Sequence, residues 1–122
     1  MAINILIADD LKFMKMVLRD IIEKAGFRVI GEAADGEEAV RLFEEKRPDV
    51  VVMDITMPKM DGITALKKIM EIDPNAKVIM CSALGQQRLI INAIQIGAKD
   101  FIVKPFQPER IVSSIKKVLN IG

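Results

Sequence analysis

Histidine, tryptophan and tyrosine are absent from all 122 residues, and cysteine occurs once. Without histidine the chain has no imidazole general base, no imidazole metal ligand and no phospho-histidine of its own. The single thiol, Cys81, cannot close an internal disulfide and suits a reducing cytosol, where its ordinary role is that of a small buried hydrophobe. No apolar run approaches the ~18 residues of a membrane span, and the N-terminus lacks the successive blocks of a secretion signal. Membrane insertion is therefore not expected, and a cytoplasmic location is. Charge of one sign is not in excess either. Eighteen basic against seventeen acidic residues leave a net charge of +1 with no basic stripe, which argues against nucleic acid as a partner. Any chemistry here has to use carboxylates, lysine, hydroxyls and a bound metal.

What is present is a well-mixed globular composition, 51% hydrophobic and 29% charged. The length fits one domain with a full core and is too short for two. Residues 1–122 are read as a single domain with no output domain attached. There is no internal repeat, low-complexity segment or linker.

Five apolar runs alternate with five helical patterns. Ile3 to Ala8, Arg28 to Ala33, Val50 to Asp54, Lys77 to Ser82 and Asp100 to Val103 read as strands. Between and after them, Phe13 to Lys24, a helix around Ala39, Val40 and Phe43, a helix opened by Asp61-Gly62, Gln86 to Ile96, and a last helix from Pro108 to Leu119 carry apolar residues at helical spacing. Gly26, Pro48, Asp73-Pro74-Asn75 and Gly97 stop the first four helices. Such alternation gives an α/β fold, a parallel sheet with helices on both faces and right-handed crossovers.

The central feature is the run Val50-Val51-Val52-Met53-Asp54. It is apolar throughout, as expected of a strand covered on both faces, and it ends on a lone carboxylate. An unpaired buried charge is costly, so Asp54 requires partners. Asp9-Asp10 and Ser82 also end strands, and Lys104 follows a fifth. In a parallel sheet all of these lie at one edge, where open α/β sheets bind ligands. Neighbouring strands are ~4.8 Å apart, so if the first and third strands adjoin, Asp9, Asp10 and Asp54 converge. Two carboxylates ~4 Å apart repel by about 4 kcal/mol at an effective dielectric near 20. Lys104 offsets one charge only. An all-oxygen site of few carboxylates suits Mg²⁺, with the backbone carbonyl of Thr56 as a further donor. A carboxylate beside such a cation, a lysine and a hydroxyl is equipped to attack a phosphoryl group and form an acyl phosphate.

The set Asp9-Asp10, Asp54, Ser82 and Lys104-Pro105, with the stretches 53–58, 80–87 and 97–106, resembles the receiver domain of two-component response regulators over essentially the whole chain. Within that family the likeness is strongest to the stand-alone chemotaxis regulators. The resemblance implies a flavodoxin-like (βα)5 three-layer sandwich with sheet order 2-1-3-4-5. Chemotaxis regulators are themselves a reference example of that order, so it is taken from the likeness and not from the residues. The resemblance also implies Asp54 as phosphoacceptor from a chemotaxis-type sensor histidine kinase. Asp10 would ligate Mg²⁺ directly and Asp9 through water, with Thr56 lending its carbonyl. Lys104 would bind the phosphoryl group, and its bond to Pro105 would be cis. Ser82 would move toward the phosphate and Phe101 would turn inward, where many relatives carry tyrosine. The implied partners are the kinase, a flagellar motor switch protein and a chemotaxis phosphatase, with the chain acting as a monomer. Catalysis is confined to its own phosphoryl transfer and slow autodephosphorylation.

On the residues alone, Phe101 belongs to a buried strand. The helix Gln86 to Ile96 is apolar round more of its circumference than one buried face requires, and Ile91 should face outward if Ile90 and Ile94 face in. The resemblance implies a partner surface made by this helix, the fifth strand and the last helix, with Ile91, Gln95, Phe101 and Lys104 in it. Three other functions compete. A receiver of another phosphorelay differs only in its partners. An Asp-nucleophile, Mg²⁺-dependent phosphatase should carry a second Asp two residues after the first, where this chain has Thr56. A flavodoxin-like FMN carrier should offer backbone donors where Asp9-Asp10 stand, and an aromatic ring to stack on the flavin.

Overall fold

In the computed structural model, which describes residues 2–122, the alternation becomes ten elements. They are β1 (Asn4–Ala8), α1 (Lys12–Lys24), β2 (Arg28–Ala33), α2 (Gly36–Lys46), β3 (Val50–Asp54), α3 (Gly62–Ile72), β4 (Val78–Ser82), α4 (Gln87–Ile96), β5 (Asp100–Val103) and α5 (Pro108–Leu119). All four strand pairings are parallel, and the sheet order is β2-β1-β3-β4-β5. This is the flavodoxin-like order, and the direction in which successive strands are laid down reverses where β1 and β3 adjoin.

Strand periodicity divides the core in two. Leu6, Ala8, Val51, Met53, Val78 and Met80 face α2, α3 and α4, where they meet Leu42, Phe43, Leu66, Ile69 and Ala93. Ile5, Ile7, Val50, Val52, Ile79 and Cys81 face the other way, onto Leu18 and Ile22 of α1 and Ile111 and Ile115 of α5. Successive strand residues point to opposite faces, so a strand in the middle layer must be apolar at every position. Hence the unbroken Val50–Met53 run.

The helix ends follow local chemistry. Asp35 caps α2 by accepting from the Glu38 N–H at 2.8 Å, and Asp61 caps α3 through the Thr64 N–H at 2.8 Å. Pro48 keeps the chain from continuing as helix, and Arg47 exits α2 in the left-handed region at φ 44°. By contrast, α1 has no side-chain cap at Leu11. Asp9 Oδ1 instead accepts the Leu11 N–H at 2.9 Å, tying the turn after β1 to the start of α1.

The fifth strand departs from expectation. Phe101 is 37% exposed, not core. β5 is an edge strand, and Ile102 alone of its hydrophobics is fully buried, beneath α5. On the opposite face α4 buries only Ala93, so Phe101 is left uncovered. The same loose docking leaves Leu89, Ile91 and Ile94 exposed, so Ile94 faces outward too and only Ile90 of the expected inward pair packs on the core.

Candidate functional site

Chain reversals at the carboxyl ends of β1, β3, β4 and β5 bring the strand-end residues to one rim. Asp9 and Asp10 follow β1, Asp54 ends β3, Ser82 ends β4 and Lys104 follows β5. β1 lies beside β3, with Ala8 opposite Met53, so Asp9 falls next to Asp54 in register. One carboxylate oxygen from each of Asp9, Asp10 and Asp54 lies within 4.8 Å of the others. The three differ in environment: Asp9 is buried, Asp54 half-buried and Asp10 exposed.

Lys104 binds two of them. Its Nζ lies 3.1 Å from Asp9 Oδ2 and 3.0 Å from Asp54 Oδ2. Burial pulls the Lys104 ammonium toward deprotonation, but Asp54 and Asp9 together outweigh it and hold its pKa above the ordinary lysine value. Burial pushes the Asp54 carboxyl up, and the Lys104 charge recovers only part of that rise. One ammonium thus faces three carboxylates. Two uncompensated negative charges and a donor set made wholly of oxygen fit a hard divalent cation such as Mg²⁺, with Asp9, Asp10 and Asp54 each able to offer one carboxylate oxygen.

Ser82 completes the rim. Its chain neighbour Cys81 stands opposite Asp54, which sets Ser82 one residue past the level of Asp54. Ser82 is fully buried, and among the described residues its Oγ has no hydrogen-bond partner. A buried hydroxyl without a partner costs ~1–3 kcal/mol, an arrangement that makes sense where the partner arrives later. The Lys104-Pro105 bond is cis.

Ile91, Gln95 and Phe101 line one apolar groove of about 470 Å³, together with Leu84, Ile90 and Val103. Lys104 does not line it. Its ammonium is committed to the carboxylates, so it belongs to the acidic pocket and not to the exposed face.

Two contributors are absent from the reading of the sequence. Gly62 donates its N–H to the Ile55 carbonyl at 2.7 Å, and a Cβ on it would fall 2.1 Å from the Asp54 carbonyl oxygen. The absent side chain lets α3 start against Asp54. Gln86 hydrogen-bonds both the Ala83 N–H and the Thr56 hydroxyl, so the Thr56 side chain has a role beside its backbone. The Asp61-Gly62 pair was a visible helix start and could have pointed to the first. Nothing local marks the link from Gln86 to Thr56, because the two residues are thirty places apart.

Comparison with known proteins agrees with this geometry. Residues 5–116 match the model of the response regulator receiver domain. The chain is 62% identical over 115 residues to the chemotaxis protein CheY of Thermotoga maritima, covering 94% of this chain and 96% of that protein. It is 59% identical over 120 residues to CheY of Bacillus subtilis, covering 98% and 100%. Among solved structures, it superposes with a TM-score of 0.91 and 47% identity on a chain of the CheX–CheY–BeF3–Mg²⁺ complex of Borrelia burgdorferi, covering 95% of this chain and 88% of that one. With a family match along nearly the whole chain and a strand-end constellation to go with it, this chain belongs to the response regulator receiver domain family.

Proposed function

We propose that this chain is a phosphorylation-activated switch of bacterial chemotaxis, working in the cytoplasm with Asp54 as the phosphoacceptor. The observation that carries the reading is the Lys104 ammonium shared between Asp9 and Asp54 beside a buried, unpartnered Ser82 hydroxyl. The identities to CheY proteins of two bacteria support the chemotaxis assignment.

The donor in this reading is a phospho-histidine on a sensor kinase, as the likeness to CheY proteins suggests. An Asp54 carboxylate oxygen attacks phosphorus. The P–N bond breaks with its electrons returning to the donor imidazole, and a P–O bond to Asp54 forms. Asp9, Asp10, Asp54 and the Thr56 carbonyl would hold Mg²⁺. Bound there, the cation supplies positive charge to the phosphoryl oxygens. Lys104 is already beside Asp54 and neutralises a further oxygen, while Ser82 donates the hydrogen bond its hydroxyl lacks in the resting protein.

Drawing Ser82 inward opens room at the base of the groove, and Phe101 turns into it. The exposed face carrying Ile91, Gln95 and Phe101 changes shape, and a partner selective for that shape shifts the equilibrium. The partners are a flagellar motor switch protein and a chemotaxis phosphatase. The Borrelia structure supports the second, being a complex of a CheY with CheX.

Incubation with acetyl phosphate and Mg²⁺ followed by intact mass measurement tests the chemistry. A gain of one phosphoryl group, absent in Asp54→Ala, is expected; an equal gain in the variant overturns the assignment. Heteronuclear shift mapping with a motor-switch peptide tests the surface. Shifts confined outside residues 86–115 would remove the docking face.

A further inference from the structure

Among the described residues, the loop between β4 and α4 is held by one side chain. Upstream of it the main chain is fixed: the Cys81 carbonyl accepts from Ile55 N–H at 3.0 Å, and the Ser82 carbonyl from Lys104 N–H at 2.8 Å. Downstream, α4 begins its own bonding with Ile90 N–H to the Gln86 carbonyl at 3.0 Å. Between these, Ala83, Leu84 and Gly85 are exposed, and Gly85 sits at φ 88°. Among the described residues, the hydrogen bond to their main chain comes from Gln86, whose Oε1 accepts from the Ala83 N–H at 2.7 Å. The amide's other end, Nε2, donates to Thr56 Oγ1 at 3.1 Å.

Gln86 thus occupies the N-cap position of α4 without capping it. Its side chain is spent on joining the residue after Ser82 to the residue two places beyond Asp54. The loop that must deliver the Ser82 hydroxyl is tied to the loop that carries the acceptor. A segment with few buried contacts and a single tether opens at low free-energy cost, and the tether sets that cost.

We propose that Gln86 is a positioning residue, a latch anchored on the Thr56 hydroxyl that holds the β4–α4 loop in its resting place and so limits how readily Ser82 reaches a phosphoryl group on Asp54. The proposal rests on Asp54 being the phosphoacceptor. Release of the Ala83 N–H and of the Thr56 hydroxyl accompanies the inward movement of Ser82, and both polar groups lie at the surface where water replaces Gln86. The latch therefore biases the equilibrium between two loop positions without touching the reacting atoms.

Two measurements on the full chain decide it. In the resting protein, proton–nitrogen NMR should show the Ala83 amide of Gln86→Ala exchanging with water about fivefold faster than in wild type, the factor that goes with loss of one ordinary hydrogen bond. With acetyl phosphate and Mg²⁺, the maximal rate of phosphoryl gain should rise by a similar factor, while the half-saturating acetyl phosphate concentration stays put. A purely structural defect would lower the maximal rate or move both. Thr56→Val should raise the rate in the same direction, and the double variant should match Gln86→Ala instead of multiplying the two effects. An unchanged Ala83 amide in Gln86→Ala overturns the latch, as does an unchanged or reduced maximal rate, or full multiplication in the double variant. Absence of phosphoryl gain in wild type is a different failure, that of Asp54 as acceptor, and the amide exchange still reports on the tether.

Discussion

Lys104 Nζ lies 3.0 Å from Asp54 Oδ2 although fifty residues separate them and their strands are not neighbours. β4 stands between β3 and β5, so the lysine leaves the edge of the sheet and reaches back over the end of β4. That path passes Ser82, whose carbonyl accepts the Lys104 N–H at 2.8 Å. Lys104 is thereby hydrogen-bonded both to Asp54 and to the main chain of the residue that carries the buried hydroxyl.

Replacing Lys104 by Met should strand the Asp9 and Asp54 carboxylates. Loss of one partner from a buried, hydrogen-bonded ion pair leaves an unmatched charge, and a cost of about 2 kcal/mol is expected in the absence of metal. Urea unfolding of the variant in EDTA measures it. Stability equal to wild type would mean the ammonium contributes nothing to the resting pocket.

Removing Asp54 should do the opposite. Its carboxyl titrates above the unfolded range because of burial, so ionisation costs folding free energy at every pH above its unfolded pKa of about 3.9, and the full cost is present once pH exceeds the folded pKa. Asp54→Ala should therefore melt higher than wild type in metal-free buffer at neutral pH. Mg²⁺ should reverse the ranking by stabilising wild type, by about 2.7 kcal/mol at a hundredfold excess over its Kd. Thermal scans with EDTA and with Mg²⁺ check both. A metal-free wild type at least as stable as Asp54→Ala would contradict the crowded acidic pocket.

Gly62→Ala should be damaging out of proportion to one methyl group. The new Cβ would sit 2.1 Å from the Asp54 carbonyl oxygen and 2.9 Å from Ile55 Cα, both main-chain atoms. Backbone cannot rotate aside, so the start of α3 has to shift, at a cost of about 2–3 kcal/mol. Phosphoryl gain from acetyl phosphate should slow with it. Near-wild-type stability and rate together would show that the β3–α3 loop yields more easily than its hydrogen bonds imply.

Asp100 offers a pH test away from the acidic rim. Burial pushes its carboxyl up, but the Ser114 hydroxyl at 2.7 Å, the Arg110 guanidinium at 3.3 Å and the Phe101 N–H at 2.8 Å outweigh burial and hold it below the usual range. A lowered folded pKa contributes stability that is complete above the unfolded value near 3.9 and disappears as pH falls through the folded value. Asp100→Asn should cost about 2 kcal/mol at pH 7. The gap between variant and wild type should shrink below about pH 4, where unfolded Asp100 takes up its proton. A gap constant from pH 7 to pH 2.5 would indicate that packing, not charge, is what Asp100 supplies.

Almost all of the fold is readable from local pattern. The unbroken Val50–Met53 run records a strand covered on both faces, and the alternation of runs with helical spacings records parallel crossovers, because each pattern is set by which neighbours a residue has along its own segment. The acidic residues and Lys104 are legible for a related reason. Parallel strands put their carboxyl ends on one edge whatever the sheet order, so strand-end polar residues share a rim.

The residues themselves left open how that rim is arranged and what covers each face. Sheet order came through family likeness, and with it the adjacency of Asp9 to Asp54. That Phe101 lies exposed at an edge, that α4 buries little but Ala93, and that Gln86 spans from Ala83 to Thr56 follow only from three-dimensional packing. The physical reason is the range of the interactions. Periodicity and turn chemistry act between residues a few places apart and are written in the order of the chain. Edge exposure, the Lys104 reach across β4 and the Gln86 tether depend on distances between segments tens of residues apart, which exist only once the sheet is assembled.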